Sequence, residues 1–231
     1  PVVETFSPGK NDMPISLSEH SIDGAMVFEN TDHIEREIAA SGLPAVFVNT
    51  SKKNKDNCIT YDEHGGIMLA LRHLKKKERL KSGFIYDKTR HFSKALRVRA
   101  LKSQGFRKTY LLELKYGHGT KEERDEIMTQ MRQFLKRNPD LDSVILAADV
   151  LAPLFYHAAE PSNLRIPQDI AVIAYNDLGV SQLIQPEVSA LTVDYRSLAE
   201  DALAMLYKII NNNKSGGPLS VPYQLVERQS A

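Results

Sequence analysis

The 231-residue chain has no tryptophan and a single cysteine, Cys58. One cysteine excludes an internal disulfide and a thiolate metal cluster, and it fits a reducing, cytoplasmic compartment. No apolar run approaches the roughly 18 residues a membrane span requires. The first 20 residues carry no charged-then-apolar signal pattern, so the sequence reads as soluble, with no membrane partner. Charge of one sign is also lacking: 30 Lys+Arg stand against 29 Asp+Glu, a formal net charge of +1. That balance advertises neither nucleic acid nor an acidic tail. No G-x-S-x-G, phosphate loop or G-x-G-x-x-G occurs, and Gly117-His118-Gly119 is too short to cradle a phosphate. The seven histidines form no i, i+4 pair with an acidic neighbour in a metal-binding pattern. The reading is therefore not an enzyme, with no cofactor and no metal.

What is present is a recurrence of short, uninterrupted apolar runs: Ala25 to Phe28, Ala45 to Val48, Ser82 to Tyr86, Tyr110 to Leu114, Val144 to Ala148 and Ile170 to Tyr175. Such runs read as parallel strands buried on both faces. Between them lie helical periods, with apolar positions at Ile67, Ala70, Leu71 and Leu74, then Ile127 to Leu135, then Leu198 to Ile209. The alternation predicts α/β units, with right-handed crossovers and helices on both sides of parallel sheets. Asn163 follows the periodic stretch Leu151 to Ala159 and reads as a left-handed cap. Asn211 to Pro218 is the one clear linker, before a final extended segment from Leu219 to Val226.

In open parallel sheets, ligands bind beyond the carboxyl ends of the strands. The residues after each apolar run are therefore the candidate site: Asn49 and Thr50, Tyr86 and Asp87, Ala148 and Asp149, Asn176 and Asp177. This set is polar, with no nucleophile-base pair. It suits a neutral or polyhydroxylated small molecule better than a reaction centre.

Five segments, in order, resemble the effector-binding core of the lac-repressor/galactose-repressor family of bacterial transcription regulators. They are Asp23-Gly24-Ala25-Met26-Val27; Gly42 to Asn49; Asp62, Gly66, His73 and Leu74 in the spacing D-x3-G-x6-HL; Leu164 to Asp177 (LRIPQDIAVIAYND); and Leu225 to Ser230 (LVERQS). The resemblance implies a periplasmic-binding-protein-like fold of type I: two Rossmann-like subdomains with parallel sheets, joined by three crossovers and closing on a small effector. Residues 1–87 plus 194–216 would form the first subdomain, and residues 88–193 plus 217–231 the second. The crossovers would fall near Asp87, near Val193 and at Gly216-Gly217-Pro218. The implied partners are a sugar or related effector, a second copy in a homodimer, and DNA through an amino-terminal helix-turn-helix head. The implied function is a switch. A sugar-binding protein of a transport system would share the fold and is the alternative. Only 22 residues precede Asp23, too few for a strand-helix-strand unit. The reading therefore expects the family's first strand and helix to be at least partly missing, with the DNA-binding head absent upstream.

The residues carried over as effector contacts are Asn49, Asp62, Tyr86, Ser93, Lys94, Asp149, Phe155, Tyr175 and Asn176. Three positions at or beside them depart from the resemblance. Ser93, followed by Lys94, stands where the family has an arginine twelve residues before the glycine matched to Gly105. Ala148 replaces an Asn ahead of Asp149, and Asn176 replaces an Asp ahead of Asp177. Loss of an arginine together with a carboxylate is self-consistent, since either one alone would strand a buried charge. Competing explanations stand beside several positions. Asp62 either meets a ligand or caps the helix after it. Tyr86, Phe155 and Tyr175 either stack on a ligand or pack in the core. Arg97 and Arg99, with Lys94, form a basic group near the site or a solvated helix face. The run Lys75 to Lys81 ends a helix, where cations suit the macrodipole, and reads as a solvated face.

Overall fold

The computed structural model describes residues 3–4, 14–19, 21–28, 32–50, 56–87, 92–104, 110–115, 119–212 and 216–231. Gly105, Gly117, His118 and the middle of the Asn211–Pro218 linker fall outside the described residues. The chain divides into two compact units, residues 1–61 with 194–221 and residues 62–193 with 222–231.

The first unit is built on four parallel strands in the order β1 (Ala25–Phe28), β2 (Ala45–Val48), β3 (Cys58–Tyr61), β9 (Leu219–Val221). Helix α2 (Asp32–Ser41) sets Ile34 and Ile38 one turn apart, against Leu17, Val27 and Ala45. It is followed by Gly42 at φ 69°, a left-handed conformation that a side chain would resist. Helix α7 (Tyr195–Asn212) packs on β1 and β2. The short preceding helix α1 (Ile15–Ser18) contributes Leu17.

The second unit carries a six-stranded sheet in the order β10 (Gln224–Val226), β8 (Ser189–Thr192), β7 (Ala171–Tyr175), β6 (Ser143–Leu146), β4 (Ser82–Asp87), β5 (Tyr110–Leu114). All neighbours are parallel except β10, which runs antiparallel to β8. Within this unit the parallel strands follow the spatial order second, first, third, fourth, fifth. This is a doubly wound arrangement whose order reverses between β4 and β6. Helices α3 (Glu63–Lys76), α4 (Phe92–Ser103), α5 (Lys121–Arg137) and α6 (Ala152–Ala159) alternate with the strands. Helix α5 is fixed at its start by a reciprocal cap between Thr120 and Glu123, and buries Ile127, Met131, Phe134 and Leu135. The fold is thus α/β with parallel sheets, of the periplasmic-binding-protein type.

Three expectations change. The strand ending at Asp87 pairs with β5 and β6, so it belongs to the second sheet, and the first division falls between Tyr61 and Asp62. The missed element is β3, where Thr60 interrupts Cys58-Ile59-Thr60-Tyr61 so that no uninterrupted apolar run registers. The last division falls between Val221 and Pro222, because the final extended segment is two strands serving different sheets. The other division lies between Val193 and Asp194. Asn163, at φ 51°, adopts the left-handed conformation expected of it, closing a 3-10 turn after α6.

The glycine pair Gly65-Gly66 is explained by close approach. A Cβ at Gly65 would lie 2.1 Å from Oδ2 of Asp62. One at Gly66 would lie 2.7 Å from the Tyr223 ring and 3.0 Å from the Tyr175 hydroxyl. Neither ring is a flexible tip that swings aside, so Gly66→Ala is expected to cost about 1–3 kcal/mol by overpacking. Urea unfolding checks this, and a variant as stable as the parent would mean that the rings yield.

Candidate functional site

The point where a doubly wound sheet reverses its strand order opens a crevice beyond the strand ends, so the site is sought at the carboxyl ends of β4 and β6. The central feature there is a buried ion pair. Arg97, on α4, is 5% exposed, and Glu63, in the first turn of α3, is 1% exposed. The Arg97 Nε–H donates to Glu63 Oε2 at 2.6 Å, and Nη2 donates to Glu63 Oε1 at 3.3 Å. Nη2 also donates to the Tyr223 hydroxyl at 3.1 Å, and Nη1 to the carbonyl of Ala147, just after β6, at 3.1 Å. The flat of the guanidinium lies over the Tyr175 ring, 3.6 Å from its centroid, and Tyr223 meets that ring edge-on. Burial alone would lower the Arg97 pKa, but the charge of Glu63, then the neighbouring Tyr223 and Tyr175, and last the hydrogen bond to Glu63, raise it beyond its ordinary value. The cation is permanent.

Helix geometry explains how Arg97 arrives there. On α4 the buried positions are Ser93, Arg97, Ala100 and Leu101, a single stripe at helical spacing. Of the basic group Lys94, Arg97 and Arg99, Arg97 is buried and Arg99 exposed, so the solvated-face reading fails for Arg97 and holds for Arg99. The arginine read as lost at Ser93 is therefore not matched by an absence of cationic charge, because a guanidinium sits one turn further along the same helix. A carboxylate is likewise present, in Glu63.

The remaining expected contacts fall into three groups. At the strand ends, Asp149 is 1% exposed and accepts the backbone N–H of Leu178 at 2.9 Å, tying the segment after β6 to the segment after β7. Asn176 takes a left-handed backbone at φ 63° immediately after β7 and is half-buried. Tyr86 is half-buried at the end of β4, stacked on Phe84, with its pKa raised by burial and by the nearby Glu113. Lys94 and Asp87 pair with each other, and Ser93 is buried on the same helix.

The second group is structural. The Asp62 side chain caps α3, accepting the Gly65 N–H at 2.9 Å. Phe155 is wholly buried on the inward stripe of α6, with Ala152, Ala158 and Ala159, so its expected contact with a ligand is corrected to core packing. Tyr175 is also wholly buried, its ring occupied by Arg97 and Tyr223, and burial pushes its hydroxyl pKa well above the ordinary value. That hydroxyl has no hydrogen-bond partner among the described residues. Asp177 is taken by Arg228 at 2.6 Å. The third group is Asn49 alone, left-handed at φ 54° after β2, in the first unit.

Arg97 sets a direct test of this site. Arg97→Met strands a buried carboxylate and is expected to cost about 3–5 kcal/mol, whereas Arg97→Met combined with Glu63→Leu recovers most of that loss. Urea denaturation of the three proteins measures both. Additive losses in the double variant would show that the two charges do not act as a pair.

Among the described residues no helix is long and apolar enough to cross a membrane, and no group of three or more metal-ligating side chains gathers. The family described as periplasmic binding protein-like domain matches residues 71–231. The ribose operon repressor of Lactococcus lactis is 28% identical over 107 residues, 46% of this chain and 33% of its own length. The lactose operon repressor of Rhizobium radiobacter is 31% identical over 90 residues, 39% of this chain and 80% of that protein. The chain thus spans about a third of the length of the first of these relatives. A LacI family transcriptional regulator from Arthrobacter sp. FB24, solved in complex with lactose, superposes with a TM-score of 0.78 over 93% of this chain and 82% of that one, at 16% identity. With the fold, the family match and the repressor relatives in agreement, the chain belongs to the periplasmic binding protein-like domain family, in its LacI-type regulator branch.

Proposed function

We propose that this chain is the effector-sensing and dimerising core of a LacI-type transcription regulator, binding a small polyhydroxylated molecule at the carboxyl edge of the second sheet. DNA contact would come from a helix-turn-helix head, and the chain would act as a homodimer. The observation that carries this reading is the run of polar groups at the carboxyl edge of the second sheet, Asp149 after β6 and Asn176 after β7 beside the Arg97–Glu63 pair, with no nucleophile beside a general base among the described residues. Such a set offers hydrogen-bond donors and acceptors without the means to break a bond. The repressor relatives favour a regulator over a transport protein of the same fold. The lactose bound by the Arthrobacter regulator favours a sugar-like ligand.

The test is a thermal-shift screen against monosaccharides, disaccharides, polyols and purines. A ligand at 100 times its dissociation constant adds about 2.7 kcal/mol to stability, which for a chain of this size is a rise in Tm of about 5–10 °C. Asn176→Ala and Asp149→Ala are each expected to leave the protein folded and weaken the hit at least about tenfold, the loss of one or two hydrogen bonds. Unchanged affinity in both variants would move the site elsewhere, and no response to any compound by the folded protein would sink the sensor reading.

A further inference from the structure

The charge balance of this edge points to what it refuses. Of the described cations at this edge, the buried Arg97 faces Glu63, and the half-buried Lys94 and Arg228 face Asp87 and Asp177. Asp62 and Asp149 bond to backbone N–H groups, and among the described residues no cation pairs with either. Among the described residues the edge therefore presents neutral pairs and two further carboxylates. It offers no uncommitted cation among the described residues.

Arg97 is the decisive member. Its fork is the geometry that grips a carboxylate or phosphate through two parallel N–H donors. Here that grip is closed on Glu63 from within the same unit, at 2.6 and 3.3 Å, while the other donors serve Ala147 and Tyr223. An anionic ligand would have to displace a carboxylate that is itself 1% exposed and held in the first turn of α3, where the helix dipole favours it. It would also meet Asp149 and Asp62 unscreened. A neutral polyol pays neither cost, since hydroxyls accept and donate without disturbing the pair.

We infer that Glu63 is a specificity-determining residue: as a built-in occupant of the Arg97 fork, it makes this edge reject phosphorylated and carboxylate-bearing molecules and admit neutral ones. The inference deepens the proposed small-molecule role and rests on it for the ligand itself. The occupancy of the fork can be tested without any sugar.

The experiment titrates inorganic phosphate into the full chain and into Glu63→Gln, following Tm and the heat of binding. It uses Glu63→Gln with Arg97→Gln as control, and sets glucose beside glucose 6-phosphate and ribose beside ribose 5-phosphate on the parent. The parent is expected to ignore phosphate and, where it binds a sugar, to bind the phosphorylated partner on the order of 100-fold more weakly, as like-charge contacts dictate. Glu63→Gln is expected to gain a saturable phosphate response of about 5 °C in Tm, or, where it is unfolded alone, to fold when phosphate is added. The control is expected to show neither. A phosphorylated sugar that binds the parent as well as its neutral partner overturns the inference. So does a Glu63→Gln protein, folded or unfolded, that gains nothing from phosphate, because the fork would then be closed to anions for another reason. If no sugar binds the parent while Glu63→Gln gains phosphate, the sensing role fails and the assignment to Glu63 stands.

Discussion

A guanidinium and a carboxylate taken out of water must face each other well or the fold pays several kcal/mol for each, and the pair formed by Arg97 and Glu63 meets that demand with most of the guanidinium donors satisfied. The surroundings follow from this requirement. Glu63 has to sit in the first turn of α3, so Asp62 is left to cap the helix and Gly65 and Gly66 leave room beneath it. Tyr175 has to end β7 with its ring flat under the guanidinium, and Tyr223 has to follow the last division of the chain so that its hydroxyl reaches Nη2. One ion pair thus fixes the start of α3, the inner stripe of α4, and the ends of β6 and β7.

The polarity of this edge is a consequence of the sheet rather than an addition to it. Where the order of parallel strands reverses, neighbouring crossovers leave in opposite directions and the strand ends are left uncovered. The chain must turn sharply after each strand, which explains the left-handed Asn176 after β7 and the side chain of Asp149 receiving the Leu178 N–H. These residues satisfy backbone groups that the missing cover would otherwise leave bare.

The strands buried on both faces were legible, because a run such as Val144 to Leu146 has no exposed face to place a polar residue on. The long helices were legible by their period. Three things were not. Strand β3 carries Thr60 in a four-residue span, so its pattern is too short to separate from loop. Helix α4 carries Ser93 and Arg97 on its buried stripe, so its apolar period is broken. Its arginine is buried only because Glu63, 34 residues earlier, meets it, and no local pattern announces a pair at that separation. The boundary near Asp87 failed for a related reason: which sheet a strand joins is decided by its neighbours, not by its own residues.

Two of the segments that most resemble the family brace the scaffold. In Leu164 to Asp169, Arg165 closes a turn on Asp169, whose carboxyl it holds well below the usual range, while Arg79 from after α3 donates to the carbonyls of Pro167 and Gln168. In the closing Leu225 to Ser230, Arg228 binds Asp177, and the wholly buried Ser230 hydroxyl accepts from the Ser189 N–H while donating to the carbonyl of Val172. These bonds join distant stretches of backbone, so few side chains of another shape fit. At the strand ends, by contrast, Ala148 and Asn176 depart from the resemblance. Family membership is therefore written in the residues that brace the sheet.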